Sequence, residues 1–184
     1  MDLEEIIKAC KRNKLKAQSQ LYKRYKDDLY ILCLKYCKNK EEAQDNLQDS
    51  FLDIFDNIKA YKGTGSFEGW MKRITIYKAI DKYKKTQPIN IEINDAILED
   101  TSIDSEIIEV IPLDDILKYI QELPTQYRMV FNLYELDQYS HKEIAQMLNI
   151  SENTSKSNLH RAKHILKQKI LNVNPLISKT TINK

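Results

Sequence analysis

Residues 140–169, SHKEIAQMLNISENTSKSNLHRAKHILKQK, constrain the fold more than any other stretch of the chain. Ser140 followed three residues later by Glu143 predicts a reciprocal helix cap. Ile144, Ala145 and Leu148 then make the inner face of a short helix. Asn149 falls where the chain must turn, and Asn tolerates the left-handed conformation better than most residues. Ile150 fills the corner, and Ser151 caps a second, longer helix. On that helix Ser155, Leu159, Ala162 and Leu166 recur on one side at helical spacing. Asn153, Ser157, His160 and His164 fall on the other, flanked by Lys156, Lys163 and Lys167 and, opposite them, Arg161. No acidic residue follows Glu152. This is the pattern of a helix-turn-helix, whose first helix props the second into a DNA major groove while lysines meet phosphates. An ordinary helical hairpin with a solvated basic face has the same periodicity.

The rest of the chain is also poor in turn-formers. Its 184 residues hold 3 glycines and 4 prolines, too few for a fold built on tight β-turns, so an all-α chain is expected. Gly63, Gly65 and Gly69 share one segment, which excludes the usual glycine-rich phosphate loops elsewhere. No apolar run is long enough to span a bilayer and no secretory signal opens the chain, so a cytoplasmic location is expected. The three cysteines suit a reducing compartment. Cys33 with Cys37, and His160 with His164, are each four apart, but each pair is explained by its own helix. No metal site and no cofactor are expected.

A net charge of +2 conceals segregation. Residues 41–58 carry six acidic and no basic residues, residues 59–85 eight basic and two acidic, and residues 86–115 nine acidic and no basic. Blocks of this kind predict different partners for different segments.

Taken in order, Asp2 and Glu5 cap a short helix holding Ile6 and Ile7. A longer helix from about Lys14 to Lys38 carries Leu21, Tyr25, Leu29, Leu32 and Tyr36 as a core stripe, with Cys33 beside it. Asn39 and Glu42 predict a capping box for a helix reaching about Lys59. One of its faces is Ala43, Leu47, Phe51, Ile54, Phe55 and Ile58. The opposite face is Glu42, Asp45, Asp49, Asp53 and Asp56, with Leu52 at its edge beside Gln48. Such a stripe is either solvated or meets a basic helical partner. The glycine segment follows, then Ser66, Phe67 and Trp70, and then Lys72, Arg73, Lys78, Lys82, Lys84 and Lys85 interleaved with Tyr77 and Tyr83. Rings beside cations suit melted DNA, because bases stack on the rings while cations hold phosphates. Phe67 and Trp70 also serve to anchor the loop, and Trp70 is expected in the core. Pro88 should stop the preceding helix. Residues 86–112 read as an extended acidic linker, with a helical turn near Ser105–Val110 and strand-like alternation at Ile89, Ile91 and Ile93. A second domain starts near Leu113, with a helix to about Glu122. Another helix begins at Leu123-Pro124 and presents Val130, Phe131, Leu133 and Tyr134 to the helix-turn-helix. Residues 172–184 read as a frayed tail.

The chain resembles the extracytoplasmic-function (ECF) group of bacterial sigma factors, of the sigma-70 family. The matching runs are DNLQDSFLDIFDNI at Asp45–Ile58, SFEGWMKRI at Ser66–Ile74, AIDKYKK at Ala79–Lys85, LPTQYRMVFNLYE at Leu123–Glu135 and SHKEIAQMLNISENTSKSNLHRAK at Ser140–Lys163. The resemblance implies two small helical domains: region two over 1–85 and region four over 113–171. Region two would bind the clamp helices of the RNA polymerase largest subunit through Asp45, Gln48, Asp49, Leu52 and Asp53. It would recognise and melt the minus-ten element through Lys62, Ser66, Phe67, Trp70, Lys72, Arg73, Tyr77, Lys78 and Lys82. Region four would read the minus-thirty-five element through Ser151, Asn153, Thr154, Lys156, Ser157, Asn158, His160, Arg161 and Lys163. The linker would thread polymerase channels. The implied partners are core polymerase, at its clamp helices and flap, promoter DNA, and the anti-sigma factor this family commonly uses.

The sequence departs from the family pattern at Asn153-Thr154-Ser155, where Gly-Thr-Val is common, at Asn158, where Arg is common, and at Tyr77, where Asn is common. Family promoter sequences therefore do not transfer to it. Ser155, a polar residue on an inner face, is expected to loosen the packing there. Two other readings use the same residues: a polymerase-independent helix-turn-helix regulator, and a sigma-like adaptor that reads no promoter. The first normally dimerises over two half-sites. The sequence shows no dimerisation helix, so the free protein is expected to be a monomer. No nucleophile–base pair or carboxylate cluster points to an enzyme.

Overall fold

The computed structural model describes residues 2–86 and 112–173. The expected linker turn at Ser105–Val110, the alternation at Ile89–Ile93 and most of the tail lie outside these residues. The described residues are helical, without strands, and the chain divides into two compact units between Lys85 and Thr86.

The first unit holds α1 (Leu3–Cys10), α2 (Leu15–Tyr36), α3 (Lys40–Asn57), one turn of 3-10 helix (Ile58–Ala60) and α4 (Phe67–Thr86). At the start of α1 the Asp2 carboxylate accepts from the Glu5 amide while Glu5 accepts from that of Asp2, the expected reciprocal cap. Asn39 caps α3 by accepting from the Glu42 amide at 2.8 Å. The expected box is not closed there, because Glu42 reaches back to the Lys38 amide and ammonium instead.

The core collects Leu21, Leu29, Leu32 and Tyr36 of α2, Ala43, Phe51 and Ile54 of α3, and Met71, Ile76 and Ile80 of α4. The apolar stripes did not announce a buried polar seam within it, formed by Asn46, Ser50 and Thr75. Ser50 and Thr75 return their hydroxyls to carbonyls one turn back, a local solution for a buried hydroxyl. The Asn46 amide donates to Thr75 O and Cys33 Sγ, tying α3 to α4 and α2. Cys10, Cys33 and Cys37 are buried and in no disulfide. Burial pushes the Cys33 thiol up to about 11, which suppresses thiolate chemistry there.

The second unit holds α5 (Leu113–Gln121), α6 (Thr125–Phe131) continued by a π turn (Asn132–Leu136), α7 (His141–Leu148) and α8 (Glu152–Val173). Pro124 sits at the N-cap of α6. Arg128, although buried, is satisfied: its guanidinium donates to Gln121 O at 2.7 Å and Leu123 O at 3.1 Å. It thereby takes up carbonyls left open at the end of α5. Ile120 and Leu123 pack on Ala162 and Leu166 of α8, with Tyr127 and Phe131 against the same cluster.

Candidate nucleic-acid interface

The turn between α7 and α8 is built by its caps. Ser140 and Glu143 close a reciprocal box at the start of α7. Asn149 ends it at φ 57°, ψ 49°, in the left-handed region, and the Ile150 amide then reaches Ala145 O. Ser151 Oγ accepts from the Thr154 amide to open α8. Ile144 and Leu148 of α7 and Leu159 and Ala162 of α8 are buried, so α7 fixes the orientation of α8.

Ser155 is fully buried on this inner face. Its hydroxyl lies 2.9 Å from His141 Nδ1, and the His141 ring stacks on Tyr134 at 4.3 Å between centroids. The polar atom expected to loosen the packing is thus partnered across the two helices. Burial, with the nearby Lys156 charge, holds the His141 pKa below its ordinary value.

The residues expected to read the minus-thirty-five element divide into two groups. Ser151, Asn153 and Lys156 are exposed, while Ser157, His160, Arg161 and Lys163 are half-buried. Thr154 and Asn158 are buried, and Thr154 Oγ1 lies 2.8 Å from Ser151 Oγ. Their positions follow from Ser155 and Leu159, their buried neighbours on the helix. Lys163 pairs with Glu135 at 2.7 Å, and Arg161 donates to the Tyr127 hydroxyl.

In the first unit, Asp45, Gln48, Asp49, Leu52 and Asp53 lie along α3. Leu52 is 62% exposed, a large apolar side chain among carboxylates. The acidic face is not solitary. Lys78 of α4 pairs with Asp53, and Lys82 with Asp49 at 2.8 Å. On each helix the two members are four apart, so the pairs form successive rungs between α3 and α4.

The loop before α4 is closed at its base by rings. Tyr61, Phe67 and Trp70 lie within 5.5 Å of one another by centroid, and the Tyr61 hydroxyl donates to Gly65 O at 2.8 Å. Gly63 and Gly65 both have φ +79°, which a side chain would strain. Lys62 and Ser66 are exposed at the tip. Phe67, not Trp70, enters the core: it is 4% exposed, whereas Trp70 is half-buried. Phe67 shares a face with Met71 and Thr75, four and eight residues on, and position 70 falls beside that face. Lys72 pairs with Glu68, and Arg73 lies over the exposed Tyr77 ring at 5.8 Å. Tyr83 is buried, which leaves Tyr77 as the ring presented along α4.

Among the described residues no group of three His, Cys, Asp or Glu side chains is placed to hold a metal ion, and no helix is long and apolar enough to cross a membrane.

The described residues thus form a helix-turn-helix unit and a separate helical unit with a ring-closed loop and charged faces. Residues 21–89 match the family model described as Sigma-70 region 2, and residues 113–166 that described as Sigma-70, region 4. The ECF sigma factor SigW of Bacillus subtilis is 29% identical, covering 92% of this chain and 97% of its own. SigM of the same organism is 30% identical, covering 80% and 91%. A solved chain described as CnrH in complex with the cytosolic domain of CnrY is similar at 19% identity and a TM-score of 0.48, covering 90% of this chain and 94% of that one. The chain belongs to the ECF RNA polymerase sigma factors.

Proposed function

We propose that this protein joins core RNA polymerase and directs it to promoters, with a division of labour along the chain. In region two, residues 1–85, the acidic face of α3 docks on the polymerase clamp helices through Asp45, Gln48, Asp49, Leu52 and Asp53. The loop at Lys62–Ser66, the Trp70 ring and the cations and ring of α4 hold the melted minus-ten strand. Lys72, Arg73, Lys78 and Lys82 meet phosphates, and Tyr77 offers a stacking face. Phe67 acts beneath the loop, as its anchor. In region four, residues 113–171, α8 enters the major groove of the minus-thirty-five element. Asn153, Ser157 and His160 read base edges, while Ser151, Lys156, Arg161 and Lys163 position the helix on phosphates. Thr154 and Asn158 support the helix from its inner side. The acidic linker, residues 86–112, runs along polymerase channels, and the flap is the second docking point.

The protein does no chemistry in this reading; polymerase does. Base stacking and phosphate contacts offset the cost of unpairing. It acts in the cytoplasm, as a monomer when free, with an anti-sigma factor as a further partner.

The observation that carries the reading is the adjacency of opposite surfaces within one unit. The α3 carboxylates and the α4 cations stand side by side, each half exposed, on a domain whose loop ends in rings. Asp49→Lys should abolish co-purification with core polymerase while helical content by circular dichroism stays unchanged. Undiminished co-purification would remove the clamp assignment.

A further inference from the structure

The junction of α1 and α2 carries a concentration of positive charge to which nothing above assigns a role. From Ile6 to Lys26 there are eight basic residues and no acidic one. Several have local partners. Lys8 pairs with Glu4 and Lys26 with Asp27, and Arg24 lies over Tyr25. Arg12, Lys14 and Lys16 are exposed and have no carboxylate within ion-pair distance among the described residues.

These three do not serve the helix they introduce. The first turn of α2 has no acidic residue, and its N-cap, Lys14, makes no side-chain cap bond. Lys14 and Lys16 stand at the end of α2 whose dipole disfavours cations, while Arg12, just past the end of α1, meets the favourable end of that helix's dipole. Nor is the turn loose. Asn13 is left-handed at φ 55°, its amide reaches Cys10 O at 2.8 Å, and the Lys14 amide reaches Ala9 O.

The turn is also tied to the start of the glycine loop, and the middle of α2 to its end. Lys11 Nζ donates to Tyr61 O at 2.7 Å and lies 5.9 Å from the centre of the Tyr61 ring. Tyr25 of α2 meets Phe67 edge-on at 6.4 Å. The turn that carries Arg12, Lys14 and Lys16 is thereby anchored to Tyr61, the residue next to the exposed Lys62.

We infer that Arg12, Lys14 and Lys16 form a phosphate-binding track for single-stranded DNA, holding the strand where it leaves the loop that takes the melted minus-ten element. The occupant is set by charge complementarity and by continuity with that loop. Lys11 is a positioning residue, which holds the track and the loop in register. The inference rests on the reading of region two given above.

The test uses the full-length protein assembled with core polymerase. The probes are single-stranded oligonucleotides of a minus-ten sequence that this holoenzyme transcribes, either unextended or extended at one end or the other with thymidines. The variant is Arg12→Ser/Lys14→Ser/Lys16→Ser. Wild-type holoenzyme should hold one of the extended strands more tightly than the unextended one. The variant should lose that increment and keep wild-type affinity for the unextended strand. Its slope of log affinity against log salt on the extended strand should fall by about 2, from about 0.7 per lost phosphate contact. The charge-conserving Arg12→Lys/Lys14→Arg/Lys16→Arg should behave as wild type. Wild-type binding of the extended strand by the serine variant would overturn the inference. So would an equal loss on both strands, or a loss of core polymerase binding, which would mark the track as a protein contact. If wild-type holoenzyme held no strand at all, the minus-ten reading would fall with it.

Discussion

Lys82 and Asp49 face each other across the α3–α4 interface with the ammonium 2.8 Å from the carboxylate. One belongs to the surface assigned to DNA and the other to the surface assigned to polymerase. Lys78 and Asp53 repeat the arrangement one turn away. In the free protein, then, the carboxylates proposed to dock on polymerase and the lysines proposed to meet phosphates are engaged with each other.

It follows that Asp49→Asn/Asp53→Asn should raise the affinity of the free protein for DNA and steepen its salt dependence, while weakening its hold on core polymerase. Anisotropy with labelled promoter DNA across a salt series measures the first effect. Melting temperature should change little, because exposed ion pairs contribute about 1 kcal/mol or less. An unchanged salt slope would show that the pairs do not restrain the lysines.

Phe67 and Trp70 should separate cleanly in their consequences. Phe67→Ala removes a buried ring and should cost about 3–5 kcal/mol, visible as a lowered melting temperature of the first unit. Trp70→Ala should leave most of the stability and instead suppress promoter opening, read by permanganate reactivity of unpaired thymines in the holoenzyme complex. The reverse pattern would exchange their roles.

His141 and Ser155 predict a coupling and a pH dependence. Ser155→Ala should cost about 1 kcal/mol, and much of that cost should vanish in a His141→Ala background. The His141 pKa is depressed in the folded state from 6.5. Its contribution is therefore fully present above the unfolded value and lost as pH falls through the folded one. Wild-type region four should lose melting temperature below pH 6.5 more steeply than His141→Phe does. Parallel pH profiles would contradict this.

On the recognition helix, Lys156→Ala should weaken binding to all promoters alike and lower the salt slope by about 0.9. Changes at Ser157 or His160 should instead alter which promoters are preferred. Thr154→Val and Asn158→Leu should act through melting temperature, since both side chains are buried. Selection from a randomised promoter library distinguishes the classes. Identical selected sequences for the Ser157 and His160 variants would remove these residues from base reading.

What could be read from the chain alone was mainly what local chemistry dictates. Ser140 with Glu143, the left-handed Asn149 and the core stripe of α2 each depend on residues within a turn or two of one another, and their positions follow directly. Phe67 was harder. Either ring could have filled the core, and the choice depended on where α4 begins, which sets the faces of positions 67 and 70. Asn46 and Thr75 gave no signal, and Ser155 misled, for another reason: each is a polar residue whose partner comes from another helix or from its own backbone. Thr154 and Asn158 carried a family role by position, yet share the buried side of α8 with Ser155 and Leu159. The rungs between α3 and α4 were invisible because the two charge blocks are far apart in sequence.

The account turns on whether this chain confers start-site selection, and run-off transcription with sigma-free core polymerase on genomic DNA tests that directly. It predicts discrete transcripts that appear only when the protein is added, and that vanish with Asp49→Lys. Polymerase that initiates no differently with the wild-type protein than without it would contradict the account.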